Sequence, residues 1–389
     1  MIKLSKRESE ACRWISSAVK EAGGRAYLVG GCVRDALLGI APKDVDMEIY
    51  GLAPERIESI LSRRFRFEVV GKSFGVWILK GYDIDVSVPR RERKVGEGHK
   101  SFEIECDPFL PVEAACARRD FTINAMLCDY LTGEIVDPYS GREDLKNRIL
   151  RHTSGKFAED SLRVLRAMQF IARFGLAPAS ETVALCSEIP FGELAPERVF
   201  EEWKKLILKG VKISSGLNFL RDCGWVKYFP ELAACVGCPQ DPQWHPEGDV
   251  FVHTGFCLDH FAKERIGDER EDLIVGLAVL CHDLGKPLCT KRGDDGKIHS
   301  YGHDILGVKP TLKFLGRMTR EKSLVEQVCV LVERHMAVLD LWRSGAGDSA
   351  IRRLARKVQR IDRLVRVDSA DRNGRPPIEP GDSPQGVWI

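Results

Sequence analysis

No apolar run in the 389 residues approaches the roughly 20 needed to span a bilayer, the longest being broken by Gly, Arg or Asp, so no membrane role is expected. The opening segment MIKLSKRESEACRWISSAVK is charged and amphipathic, with no apolar stretch ahead of a cleavage site, and reads as no secretory signal. Charge of one sign is also lacking. Lys and Arg number 59 against 57 Asp and Glu, a formal +2, so the bulk balance announces no nucleic-acid partner and any such partner must be argued from local patches. Internal repeats are absent. The 13 cysteines are odd in number and irregularly spaced, which argues against a disulfide framework and for free thiols in a reducing, cytoplasmic compartment. What is present is ordinary for a folded protein: 44% hydrophobic and 30% charged residues exclude disorder over most of the chain, and the length suggests two or three domains.

Helical and strand-like pieces alternate over residues 1–150. Periodicity predicts a helix over Glu8 to Glu21, a strand over Ala26 to Val29, a Gly30-Gly31 turn and a helix over Val33 to Leu38. Strands are predicted at Val45 to Tyr50, Phe67 to Val70, Val76 to Lys80 and Tyr82 to Val88. Beyond Phe157 the pattern becomes helical, with segments at Asp160 to Phe174, Pro196 to Lys209 and Ile213 to Cys223. The expected fold class is α+β: a head with a small mixed sheet (1–150), an all-helical neck (151–245), a further helical block (246–375) and a loose Pro- and Gly-rich tail (376–389).

The Gly30-Gly31 turn opens a helix carrying Arg34 and Asp35, so free backbone N–H groups and a guanidinium face one spot suited to an anion. Lys43-Asp44-Val45-Asp46 then begins a strand whose period of two puts Asp44 and Asp46 on one face. An isolated D-x-D is ordinarily a solvated strand edge. A second same-face pair follows in Tyr82-Asp83-Ile84-Asp85-Val86, and converging carboxylates beside a phosphate-cradling turn point to two-metal phosphoryl transfer, with Mg²⁺ the expected ion for hard oxygen ligands.

GGCVRDALLG (Gly30 to Gly39) followed by DVD (Asp44 to Asp46) resembles the signature of the DNA polymerase β nucleotidyltransferase superfamily, in the branch holding class II tRNA nucleotidyltransferases (CCA-adding enzymes) and bacterial poly(A) polymerases. ARRDFTINAM (Ala117 to Met126), DPYSGREDL (Asp137 to Leu145), EDSLR (Glu159 to Arg163) and LAPERVFEEWKKL (Leu194 to Leu206) resemble, in order, that family's triphosphate and ribose motif, hinge, E-D-x-x-R template and neck. The resemblance implies Asp44, Asp46 and Asp85 as catalytic metal ligands, Asp85 fitting the register better than Asp83. It implies nucleotide contacts at Gly30, Gly31, Arg34, Arg118, Arg119, Asp120, Asn124, Asp160, Arg163 and Arg166. On a predicted helix Asp160 and Arg163 share a face at i and i+3, so an acceptor and a forked donor can meet the edge of a base in place of a nucleic-acid template. Ser73, where the polyadenylating relatives place a basic residue, tips the reading towards tRNA, CTP and ATP. The stretch Arg90 to Lys100 resembles the mobile loop of full CCA-adding enzymes, with CC-adding, A-adding and polyadenylating activities as the alternatives.

A second constellation starts with His253 on a predicted helix and continues with His282-Asp283 after an apolar helix, then His303, His335 and Asp368. Imidazoles with carboxylates suit a divalent transition metal or Mg²⁺ that activates water. The pattern resembles the HD-superfamily phosphohydrolases, which implies His253, His282, Asp283 and Asp368 as ligands and His303 and His335 as accessory residues. It further implies phosphatase and 2′,3′-cyclic phosphodiesterase activity on RNA ends. A metal-dependent phosphohydrolase whose head merely binds RNA is the rival reading. Cys235 and Cys238 with His245 offer too few ligands for a zinc site of their own. Between Arg343 and Arg375 ten Arg or Lys stand against four Asp, and Arg352, Arg353, Arg356, Lys357, Arg360 and Arg363 recur at helical spacing, an expected RNA-binding face.

Overall fold

Ser5 starts the first helix, α1 (Lys6–Glu21). Its hydroxyl accepts the Glu8 N–H at 3.2 Å, and the Glu8 carboxylate accepts the Ser5 N–H, so two amides at the helix start are satisfied. Ala11, Cys12, Ile15 and Val19 line its buried face. There follow β1 (Arg25–Val29), α2 (Gly31–Leu37), β2 (Val45–Tyr50), α3 (Pro54–Leu61), β3 (Phe67–Val70), β4 (Val76–Leu79), β5 (Ile84–Ser87), β6 (Arg90–Lys94), β7 (Phe102–Cys106), α4 (Val112–Ala117), β8 (Leu127–Asp129), β9 (Ile135–Val136) and α5 (Gly141–Lys146). The structure is a computed structural model that describes residues 2–70, 75–94 and 102–389. Ser73 and the 95–100 part of the expected loop lie outside these residues. The Arg90–Lys94 part of that loop is instead strand, paired antiparallel with Phe102–Cys106.

Seven strands form one mixed sheet in the order β3-β4-β5-β2-β1-β8-β9. β2 and β5 are its parallel pair and the other neighbours are antiparallel. The parallel pairing decides the position of the site, because it brings the starts of β2 and β5 side by side.

The chain divides into two compact units, Met1–Arg163 with Ala179–Thr182, and Val164–Pro178 with Val183–Ile389. The expected neck and the helical block after it therefore share a unit, apart from the short stretches assigned to the first. Helices α6 (Leu162–Phe174), which starts at the division, α7 (Ser180–Glu188), α8 (Pro196–Lys209), α9 (Ile213–Asp222), α10 (Pro230–Ala233), α11 (Val250–Lys263), α12 (Glu269–Cys281), α13 (Lys286–Cys289), α14 (His303–Gly316), α15 (Lys322–Arg334), α16 (Ala337–Arg343), α17 (Asp348–Val358), α18 (Ile361–Asn373) and α19 (Pro384–Trp388) follow. Along α12 every residue from Asp272 to Cys281 is buried. A helix apolar on all sides belongs at the centre of its unit, and whatever follows its end is delivered into that interior. Trp203 packs edge-on against Phe229 and Phe314 at 5.0 and 5.4 Å, tying α8 to α14.

The tail is not loose. It ends in α19, and Ser383 and Gln385 donate to the Asp368 carboxylate at 2.5 and 3.2 Å. Composition favours an irregular tail, but these long-range bonds to a buried carboxylate anchor it.

Arg363, expected on the basic face, is buried and grips Glu271 through two bonds of 2.6 Å, with Gln327 accepting a third at 2.7 Å. The bond from Arg363 holds the Glu271 carboxyl below its usual range. Stability from this pair is complete above the ordinary glutamate pKa of about 4.3 and is lost as pH falls through the depressed folded value. Glu271→Gln is expected to lower unfolding free energy at pH 7 by about 1–3 kcal/mol. In urea titrations the gap between the two proteins should shrink with acidification below pH about 4.

Candidate active sites

In the first unit, Asp46 faces Asp85 across the parallel β2–β5 pair, with Val45 opposite Ile84. Val45 and Ile84 are buried and the two aspartates are exposed, the alternation a pleated strand requires. Desolvation and the facing Asp85 push the Asp46 pKa up, while desolvation and Asp44 push up that of Asp85. Carboxylates that raise one another's pKa are relieved by a cation among them. Asp83 is placed differently: its backbone carbonyl accepts the Val45 N–H at 2.9 Å, and the register sets Asp85, not Asp83, beside Asp46.

β1 lies antiparallel to β2 with Leu28 opposite Met47, so the Gly30 turn emerges next to Asp46. Gly30 has φ +70°, a conformation that side chains rarely adopt, and a Cβ there would press against Arg119 Nη1 at 3.1 Å. Buried Arg34 donates to Asp35 at 2.6 and 2.8 Å and to Asn124 Oδ1 at 2.6 Å. Asn124 in turn donates to Asp120 at 3.0 Å, and Asp120 accepts the Phe121 N–H at 2.8 Å. Arg34, Asn124 and Asp120, matched to separate nucleotide contacts, thus form one hydrogen-bonded chain. Arg118 and Arg119 reach the buried Glu48 at 3.7 and 3.4 Å, and Glu48 also accepts the Tyr50 hydroxyl at 2.5 Å. Burial opposes the charge on Arg119, but Glu48 and its neighbours raise its pKa above the ordinary value. Glu48 belongs to this site as well, and the period of two that groups Asp44 with Asp46 also reaches it.

Asp160 is not on a helix. It is extended (φ −127°, ψ 104°), and its carboxylate accepts the Leu162 N–H at 3.0 Å just ahead of α6, so the expected shared helical face with Arg163 does not exist. An Asp in front of an apolar helix satisfies the free amides of the first turn better than it serves inside the helix. Arg163 donates to the carbonyls of Lys156 and Arg118 at 2.7 Å each. A cavity of about 350 Å³ opens nearby, lined by Arg90, Arg118, Lys156 and Glu159 among others. Arg166 lies past the division between units, with its guanidinium over the Phe170 ring.

In the second unit, α12 delivers His282 and Asp283 into the interior, where both are 1% exposed. The His282 Nδ1 sits 2.7 Å from the Val279 carbonyl, which fixes the ring and turns Nε2 inward. Neither that Nε2 nor either Asp283 oxygen has a hydrogen-bond partner, although Lys286 Nζ forms an ion pair with Asp283 at 2.7 Å. Buried polar atoms without hydrogen bonds are costly unless something else binds them. Nitrogen and oxygen donors fit a divalent metal here. His303 Nε2 lies 3.1 Å from His335 Nε2 and 3.4 Å from Asp283. Burial lowers the His335 pKa to about 4, keeping its imidazole neutral at physiological pH.

The acidic partner supplied by α18 is Asp371, not Asp368. Asp371 Oδ1 is 3.0 Å from His253 Nε2 and 3.9 Å from His282 Nε2, whereas Asp368 is taken up by the tail. Two further residues of this interior were not singled out: Glu247, 2.7 Å from His253 Nδ1, and Cys257, whose Sγ is 3.3 Å from His253 Nε2. Cys257 follows His253 at i+4 on α11, a spacing the sequence does display. Cys235 and Cys238 join no ligand cluster among the described residues. Cys238 contacts Thr290, and His245 bonds to Glu247 at 2.9 Å.

On α17, Arg352, Arg353, Arg356 and Lys357 are exposed while Leu354 and Val358 face inward. The expected basic face ends there. Gln359 breaks the helix with φ +62°, and Arg360 folds onto Asp362 at 2.7 and 2.8 Å.

Residues 26–151 match the Poly A polymerase head domain family. The multifunctional CCA protein of Stenotrophomonas maltophilia is 37% identical over 380 residues, covering 94% of this chain and 90% of that protein. That of Mannheimia succiniciproducens is 36% identical over 395 residues, covering 94% and 88%. Among solved structures, the Bacillus stearothermophilus CCA-adding enzyme in complex with CTP superposes with a TM-score of 0.65 at 25% identity, over 99% of this chain and 81% of that one. The Thermotoga maritima CCA-adding enzyme complexed with tRNA shares the fold with a TM-score of 0.64 at 19% identity, over 95% and 81%. No helix among the described residues is long and apolar enough to cross a membrane. Identity above one third, sustained over 94% of the sequence, reaches beyond a common fold: this chain belongs to the multifunctional CCA protein family, and it is a nucleotidyltransferase.

Proposed function

We propose that the chain adds CMP and AMP to the 3′ end of tRNA, from CTP and ATP, without a nucleic-acid template. The observation that carries this reading is the register setting Asp46 opposite Asp85 beside the Gly30 turn. Asp44, Asp46 and Asp85 would hold the divalent ions, Mg²⁺ on the preference of hard oxygen donors. When bound there, such ions activate the attacking oxygen and neutralise the leaving pyrophosphate. The tRNA 3′-hydroxyl attacks the α-phosphorus of the nucleotide, and the bond to pyrophosphate breaks. Arg118 and Arg119, steadied by Glu48, offer their positive charge to the triphosphate. Asp120, oriented by Asn124, serves the ribose, and Arg34 holds Asn124 in turn. Asp160 and Arg163 select the base, Asp160 from its position ahead of α6. The exposed Arg352, Arg353, Arg356 and Lys357 suit tRNA phosphates.

A second activity is supported by the buried His282 Nε2, which makes no hydrogen bond, and the buried Asp283 carboxylate, held only by ion pairs to Lys286 at 2.7 Å and the neighbouring imidazoles: metal-assisted hydrolysis of phosphate esters, including 2′,3′-cyclic phosphates at RNA ends. In it His253, His282, Asp283 and Asp371 would hold the metal, and His303 and His335 would flank the substrate.

The transfer reading is tested by incubating the protein with tRNAs ending at the discriminator base, at C or at CC, with CTP, ATP or both, and sequencing the products. Restoration of CCA from each start is expected. Long A tails on any RNA would overturn it in favour of polyadenylation.

A further inference from the structure

Cys257 has no part in the transfer or hydrolysis as proposed, yet it stands against the metal-binding histidines. It is fully buried, on the same face of α11 as His253, and Gly374 is packed so closely that a Cβ on that glycine would lie 2.3 Å from the sulfur. The sulfur is therefore packed directly against the backbone at Gly374.

The other donors are aimed at the same point. His253 Nδ1 is 3.2 Å from the Gly374 carbonyl and 2.7 Å from Glu247, and His282 Nδ1 is engaged by Val279, so each ring keeps Nε2 for the interior. Among these, the His282 Nε2 is buried and makes no hydrogen bond, with the Asp283 carboxylate 3.2 Å away. The sulfur of Cys257, a nitrogen of each histidine and an oxygen of Asp371 all lie within 4.8 Å of one another. Bonds of about 2.0–2.3 Å to a tetrahedral ion place neighbouring ligand atoms about 3.3–3.8 Å apart. The separations found are 3.0 Å (His253 to Asp371), 3.3 Å (Cys257 to His253) and 3.9 Å (His282 to Asp371), bracketing that range before any metal draws the donors in.

We propose that Cys257 is itself a metal ligand, joining His253, His282 and Asp371 beside Asp283 in a set that selects a borderline-soft divalent ion such as Zn²⁺ or Co²⁺ over Mg²⁺. The inference rests on the metallohydrolase reading above. Hard cations are poorly served by sulfur, so a thiolate shifts the site towards softer ions. On binding, the S–H bond breaks, the sulfur pair forms the metal bond and the proton passes to solvent.

The test is Co²⁺ titration of the metal-stripped full chain, followed by absorption. Visible d–d bands accompanied by a near-ultraviolet thiolate-to-cobalt charge-transfer band are expected. His282→Ala should abolish both, which assigns them to this site rather than to another of the 13 cysteines. Cys257→Ser should keep the d–d bands, lose the charge-transfer band and weaken Zn²⁺ binding at least about tenfold. A charge-transfer band that survives in Cys257→Ser, or visible bands in the parent protein without it, would overturn the proposal and leave the metallohydrolase reading standing. Failure to bind Co²⁺ or Zn²⁺ at all would overturn the proposal, and failure to bind Mg²⁺ as well, with no hydrolysis of 2′,3′-cyclic AMP, would overturn the metallohydrolase reading with it. Cys257→Ala, with circular dichroism as the check on folding, repeats the reading should the serine variant misfold.

Discussion

Asp46→Ala is expected to reduce nucleotide addition to tRNA by on the order of a thousandfold or more. Each cation in such a site contributes several kcal/mol of charge stabilisation, and each 1.36 kcal/mol is tenfold in rate. Asp46 is the carboxylate most committed to the cluster: it faces Asp85 across the sheet, and its pKa is raised by desolvation and by that neighbour. Removing it leaves Asp85 and Asp44 unable to enclose an ion, yet the strand keeps its buried residues Val45 and Met47. Thermal unfolding should therefore change little, and single-turnover incorporation of labelled CMP should collapse. Asp85→Asn should behave alike. Asp83→Asn separates the two readings of β5, since the side chain at 83 is outside the Asp46–Asp85 pairing, and its rate should stay within a few-fold of the parent protein.

The difference between Asp83 and Asp85 marks how much of the head was legible. A Gly-Gly turn, a D-x-D and a period of two are local signals, and β2 and β3 formed at the boundaries the pattern predicts. That β2 and β5 lie parallel and in register is a tertiary fact which no local period encodes. Asp160 failed for the opposite reason. EDSLR continues the polarity pattern of α6 so smoothly that periodicity absorbs it, but an Asp before an apolar run gains more by accepting a free amide. Glu48 was within reach, since it extends the Asp44–Asp46 face, but its burial with Tyr50 and the two arginines depends on residues some 70 positions away. Helical spacing runs on through Gln359 in the sequence, but the backbone there has φ +62° and α17 ends, so the periodic basic face stops short of Arg360.

Asp371→Asn and Asp368→Ala should have opposite consequences in the second unit. The two residues lie three apart on α18, one turn of the same face, so spacing alone cannot choose between them. Geometry does. Asp371 stands 3.0 Å from His253 Nε2, and its conversion to an amide would remove one anionic ligand of the proposed metal. Hydrolysis of 2′,3′-cyclic phosphate should fall on the order of a hundredfold to a thousandfold, while addition of CMP, proposed to rest on carboxylates of the other unit, should persist. Asp368 instead holds the chain end through Ser383 and Gln385. Truncating it strands a buried hydroxyl and a buried amide, so Asp368→Ala should lower unfolding free energy by about 1–3 kcal/mol. Metal content should then stay at the parent level. Equal loss of bound metal in the two variants, measured by elemental analysis, would show that Asp368 and not the helix turn beyond it completes the site.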